Sequence, residues 1–131
     1  MREIKFRGKS CDEWVFGLLA KINGHECIIH DPDIIAEQGK INYGVNWVVE
    51  THTIGQFIGL VDKNLNEIYE GDIIVLDDDD QIYNIQWDDT SAMFTLCNKS
   101  VVFDFDNVSN HSVEIIGNIH DNQELLKSVR S

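Results

Sequence analysis

Residues 67–87 read "EIYEGDIIVLDDDDQIYNIQW". Two apolar runs, "DIIVL" at 72–76 and "QIYNIQW" at 81–87, flank four consecutive aspartates. β-branched and aromatic residues dominate both runs, and neither is long enough for a helix, so each reads as a strand. The aspartates then form the bend between them, Asp77–Asp80. Short antiparallel hairpins become the building unit of the fold, and the four like charges need an explanation.

The rest of the chain repeats this unit. Residues 3–8 alternate as a half-buried strand, with Ile4 and Phe6 on one face and Glu3, Lys5 and Arg7 on the other. "EWVFGLLAKI" (13–22) is apolar on both faces and reads as buried. Asn23-Gly24 is a type I′ turn signal, because both positions tolerate positive φ. "ECIIH" (26–30) is the returning strand. "DPDIIAEQG" (31–39) suits a short helix with Asp31 as cap, Pro32 in first position and Gly39 at the end, or else a loop. Strands follow at 45–51 and 53–61, turns at 62–66, then strands at 72–76, 81–87, 92–97, 101–105 and 112–119. "DNQELLKS" (121–128) carries a capping-box pattern and exposes Leu125 and Leu126 on one helical side. Parallel βαβ units have no room. The expected fold is a mostly-β single domain over 1–131. It is an antiparallel sandwich or partly open barrel of about 8–10 short strands, with short helices at 31–38 and 121–128.

At 131 residues and 43% apolar content, the chain needs neither disulfide nor structural metal to fold. Three scattered cysteines, Cys11, Cys27 and Cys97, fit a reducing compartment, so the expected location is a cytoplasm. No apolar run reaches membrane-span length, and the N-terminus lacks a signal-peptide core. Net charge is −13. Residues 62–106 hold twelve of the 23 acidic side chains against Lys63 and Lys99 alone. Such a surface repels phosphate, which argues against direct nucleic-acid binding and for basic protein partners. The basic strip Arg2, Lys5, Arg7 and Lys9 could cover the acidic region within one chain or meet it in a neighbouring copy, a homo-oligomer.

Three stretches, "REIKFRG" (2–8), "QFIGLVDKNLNEIYEGDII" (56–74) and "VEIIGNIHDNQELL" (113–126), resemble the YopX family of bacteriophage and prophage proteins. Two departures stand in the middle block. Ile58 takes the place of a threonine, and Asn64-Leu65-Asn66 that of an Asn-Gly turn. Leucine tolerates positive φ poorly, so the turn at 62–66 is expected to differ from the family pattern. The resemblance implies a small mostly-β phage domain. It implies no activity and no catalytic residues.

Asp77, Asp79, Gln81 and Asp88 fall at EF-hand loop positions, but Ile82 stands where that loop needs glycine. A seven-residue strand spans roughly 20 Å, which would hold Asp88 away from Asp79. The simpler reading is a solvated tip that keeps a sheet edge from pairing with other chains. His25, Cys27 and His30 divide between two strand faces, and Cys11 is placed on a neighbouring strand. Zinc needs four convergent ligands, so no metal or cofactor is expected. His52, His111 and His120 read as isolated and superficial. Asp104 and Asp106 sit about 7 Å apart on one strand face. That spacing could serve a glycosidase pair, but nothing suggests a raised pKa. "EIYEGD" is the strongest local signal. Gly71 would supply an unusual backbone angle, Asp72 a local hydrogen bond, and Tyr69 and Glu70 complete the turn. Trp14, Trp47 and Trp87 read as core anchors.

The expected function is that of a phage accessory protein, non-enzymatic and protein-binding. Its candidate surface is Asp77, Asp78, Asp79, Asp80, Asp88, Asp89, Asp104 and Asp106. Two other readings stand beside it, an acidic DNA mimic that occupies a host DNA-binding protein and a metal-dependent hydrolase built on the same carboxylates.

Overall fold

A computed structural model of the protein describes residues 4–29, 46–77, 79–98, 102–104 and 113–127, with backbone alone at 46, 79, 80, 102–104 and 127. Among the described residues there are eleven strands, one 3-10 turn and one α-helix. The mostly-β expectation holds. Among the described residues the strands form two antiparallel sheets, and neither closes into a barrel. No helix among the described residues is long and apolar enough to cross a membrane. The chain divides into two compact units, Met1–Phe57 and Ile58–Ser131.

The first unit is a meander of β1 (Phe6–Ser10), β2 (Glu13–Ile22), β3 (His25–Ile29) and β4 (Asn46–Val48). Each strand pairs antiparallel with the next. The turn expected at Asn23-Gly24 is present. Ile22 faces His25, and φ is 53° at Asn23 and 82° at Gly24. That is the type I′ sense, whose twist matches the flanking strands. A second two-residue turn joins Ser10 to Glu13, with φ of 51° at Cys11 and 67° at Asp12. Cys11 therefore sits exposed at a turn, not on a strand beside Cys27.

β1 begins later than the alternation at 3–8 suggests, and Arg7, expected on the polar face, is buried. Arg7 is only 8% exposed, whereas Ile4 is 60% exposed. The reason is Trp14. The Arg7 guanidinium carbon lies 4.7 Å from the indole centre, and Lys9 Nζ lies 5.6 Å from it. The aliphatic stem packs as apolar surface and the cation is attracted to the ring face, which lowers the cost of burying Arg7.

A 3-10 turn, Thr51–Thr53, replaces the start of the strand expected at 53–61. Thr53 is buried. Its hydroxyl accepts the Lys9 amide at 2.9 Å and donates to the Glu50 carbonyl at 2.6 Å. These bonds favour a tight turn over an extended ladder. β5 (Gly55–Val61) then starts at Gly55, which pairs with Arg7.

The second half of β5 borders β6 (Glu67–Tyr69), a strand the sequence pattern did not announce. The second unit also holds a five-stranded sheet of β7 (Asp72–Leu76), β8 (Asp79–Asp88), β9 (Met93–Cys97), β10 (Val102–Asp104) and β11 (Val113–Asn118). Its order is β10-β9-β8-β7-β11. Register decides where its core lies. Ile74 faces Tyr83, Ile85 faces Leu96, and Val113 faces Leu76. One sheet face therefore carries Ile74, Tyr83, Ile85, Phe94, Leu96 and Val113, which cluster with Ile58 and Ile68.

Two of the three tryptophans are not core anchors. Trp47 is 47% exposed on the edge strand β4, and Trp87 is 44% exposed near the end of β8. Trp87 meets Phe94 edge-on at 5.0 Å, and its indole N–H donates to Asp89 Oδ1 at 2.7 Å. The polar edge of an indole holds it at the surface when its partner is a surface carboxylate. Helix α1 (Gln123–Lys127) falls inside the expected 121–128. The helix expected at 31–38, together with His30 and His111, lies outside the described residues.

Candidate functional site

The acidic hairpin forms, but its bend is tighter than Asp77–Asp80. Val75 faces Ile82 and Leu76 faces Asp79, which leaves Asp80 and Gln81 in a bulge of β8. Asp77 is exposed in the turn, whereas Asp79 and Asp80 already belong to β8. Asp78 lies outside the described residues. Lys63 Nζ donates to Asp77 Oδ1 at 2.8 Å and stands 3.8 Å from Glu114 Oε1. The hydrogen bond to Asp77 is the main cause that raises the Lys63 pKa.

At the other end of β8, Asp88 Oδ1 accepts the Thr90 amide at 3.0 Å, and Asp89 holds the Trp87 indole. A ten-residue strand separates the two acidic groups by about 30 Å, so they do not converge. That distance also removes the EF-hand arrangement of Asp77, Asp79, Gln81 and Asp88. The Asp104 backbone faces Thr95 in β10, while the Asp104 side chain and all of Asp106 lie outside the described residues. Among the described residues, no three His, Cys, Asp or Glu side chains are grouped to hold a metal ion.

The Tyr69–Asp72 turn is a tie between strands. Gly71 has φ of 93°. Its amide donates to the Ile85 carbonyl at 2.8 Å, and its carbonyl accepts the Ile119 amide at 2.9 Å. The Tyr69 amide donates to buried Asp72 Oδ2 at 2.7 Å, and the Tyr69 hydroxyl donates to Glu67 Oε1 at 3.1 Å. Glu70 is half-buried beside them.

Asp62 is the residue that sequence reasoning missed. It is 1% exposed. Its Oδ1 accepts the amides of Asn64 and Asn66, both at 2.9 Å, and its Oδ2 accepts the amide of Ile115 at 3.0 Å. Burial alone pushes its carboxyl pKa up. The backbone donors of Ile115, Asn66 and Asn64, with the Asn66 side chain, outweigh burial and hold the pKa below the usual aspartate value. The resulting turn is closed by the Asp62 amide on the Asn66 carbonyl and the Leu65 amide on the Asp62 carbonyl. Leu65 sits at its tip with φ of 68° and 81% exposure. Leu65 is held in the left-handed region because the carboxylate fixes the backbone on both sides of it. The available signal was an aspartate just past an apolar strand with asparagines two and four residues on, an Asx-turn pattern.

Asn118 does similar work at the C-terminal end. Its Oδ1 accepts the amides of His120 and Asp121, both at 3.0 Å, and its own amide donates to Asn122 Oδ1 at 3.1 Å. Gly117 permits this, since a Cβ there would stand 2.6 Å from Asn122 Oδ1. The second and third of the three family-like stretches thus carry side chains that fix turns.

Comparison with known proteins agrees. A family model described as YopX protein matches residues 5–127. The crystal structure of protein EF1440 from Enterococcus faecalis is similar at a TM-score of 0.59 and 26% identity, covering 96% of this chain and 99% of that one. Among curated proteins, no significant match is found. The match across nearly the whole chain places it: this protein belongs to the YopX family.

Proposed function

We propose that this protein is a non-enzymatic accessory domain, of phage or prophage type, that binds a basic protein through its second unit. The observation that carries the reading is the distribution of charge. Residues 58–131 hold 15 acidic against 4 basic side chains, a net of −11, whereas residues 1–57 hold 8 against 6, a net of −2. Asp62 turns its carboxylate inward to backbone donors, and Asp72 is buried. The outward field comes from groups such as Asp77, Asp88 and Asp89. A field of one sign steers oppositely charged partners and weakens with salt.

The test is capture from bacterial lysate on immobilised protein, with mass readout at increasing salt. A retained basic protein that is lost by about 0.5 M salt supports the reading. Retention unchanged across that range overturns it. If the retained species is a DNA-binding protein displaced by duplex DNA, the acidic surface acts as a DNA mimic.

A further inference from the structure

β11 is an edge strand of its sheet, and its sequence, "VEIIGN", is of the kind that pairs readily with another chain. Its inner side is occupied by β7. In an antiparallel ladder, the backbone groups of alternate residues point to opposite neighbours. The Val113 carbonyl and the Ile115 amide point outward, and both are taken. Lys63 donates its amide to the Val113 carbonyl at 3.0 Å, and Asp62 Oδ2 accepts the Ile115 amide.

We propose that the Asp62 turn is an edge guard, which occupies the outward Val113 carbonyl and Ile115 amide of β11 and so prevents a second copy of this chain from adding a strand there. Three further features act in the same direction. Lys63 reaches from the turn to Glu114 on β11 and to Asp77 just past the end of β7, which fastens its side chain to the edge. The register of β11 against β7 shifts between Ile115 and Gly117, and a bulge spoils the flat template an incoming strand needs. The carboxylate is held in its charged form by its donors, so the guard stays in place across ordinary pH and is not a switch. A strand edge with three β-branched residues and one charge requires such protection.

Asp62→Asn is the discriminating variant. It keeps the volume and one oxygen for the turn, but sets an amide donor against the Ile115 N–H. Sedimentation velocity over a wide concentration range reads association, and amide hydrogen exchange at Ile115 reads the edge. In the dilute variant, Ile115 is expected to exchange at least about tenfold faster than in the wild type. With rising concentration the variant's mean mass should climb about twofold above the wild type's, as one edge pairs with its symmetry mate. Equal masses at every concentration, with Ile115 exposed, overturn the proposal. So does a wild-type Ile115 amide that exchanges as fast as open-edge amides. Asp62→Ala is the second variant. If neither variant folds, the carboxylate is a folding requirement and its role as a guard is refuted.

Discussion

Asp62 Oδ2 accepts the Ile115 amide at 3.0 Å across 53 residues of chain, while its Oδ1 holds the two amides of its own turn. One carboxylate thus joins a local motif to the far end of the second unit. Both stretches, 56–74 and 113–126, carry the family resemblance. They meet at this contact, at the Lys63–Val113 and Gly71–Ile119 bonds, and along the pairing of β7 with β11.

Asp62→Ala should lower stability by about 2–3 kcal/mol in urea unfolding, since hydrogen bonds to a charged acceptor are lost and buried donors are left without it. The effect should depend on pH in one direction. The folded pKa lies below the unfolded one, so the stabilisation is complete above the unfolded value near ~3.9 and disappears as pH falls through the lower folded value. Wild type and variant should therefore converge in acid. A gap that widens as pH falls would contradict the assignment.

Leu65→Gly should stabilise the protein. A leucine at φ of 68° carries left-handed strain of about 1–2 kcal/mol, and at 81% exposure it recovers little by burial. Glycine removes the strain but adds unfolded-state freedom, so the expected net gain is about 0.5–1 kcal/mol. A loss of stability in thermal melts would mean that Leu65 makes contacts that offset its backbone strain.

The hairpin grammar was legible because turn chemistry and register are local. Asn23-Gly24 gives its turn type by residue identity, and the apolar runs of β7, β8 and β9 pair as their alternation requires. What stayed hidden was the use of polar side chains as backbone substitutes. The hydroxyl of Thr53 made a 3-10 turn out of an apparent strand. The stem of Arg7 behaved as core because Trp14 lay across from it. Asp62 looked like one acid among 23 until its three donors, one of them 53 residues away, were seen together. Single-residue character cannot show a partner that only the fold supplies.

Gly17→Ala should unfold or severely weaken the first unit. A Cβ at Gly17 would stand 2.0 Å from the Ile29 carbonyl oxygen, a backbone atom that cannot swing aside. The shift it forces on the β2–β3 pair should cost about 3 kcal/mol. Gly8→Ala is the milder control, because its Cβ would meet the Val49 side chain at 3.0 Å. Equal melting temperatures for Gly17→Ala and wild type would show that β2 and β3 are not this close.

Gly71→Ala tests the Tyr69–Asp72 turn. At φ of 93° an alanine is strained by about 1–3 kcal/mol. The strain would fall on a residue whose amide and carbonyl bind Ile85 and Ile119, so relaxing the angle would break one of those bonds. Asp72→Asn approaches the same turn from the side chain. It keeps an oxygen for the Tyr69 amide but removes the charge that strengthens the bond, and should cost less than Asp72→Ala. The ordering Gly71→Ala and Asp72→Ala worst, Asp72→Asn intermediate, is checked by urea midpoints at neutral pH. If Asp72→Asn proves as damaging as Asp72→Ala, the charge and not the geometry of the acceptor holds Tyr69 in place.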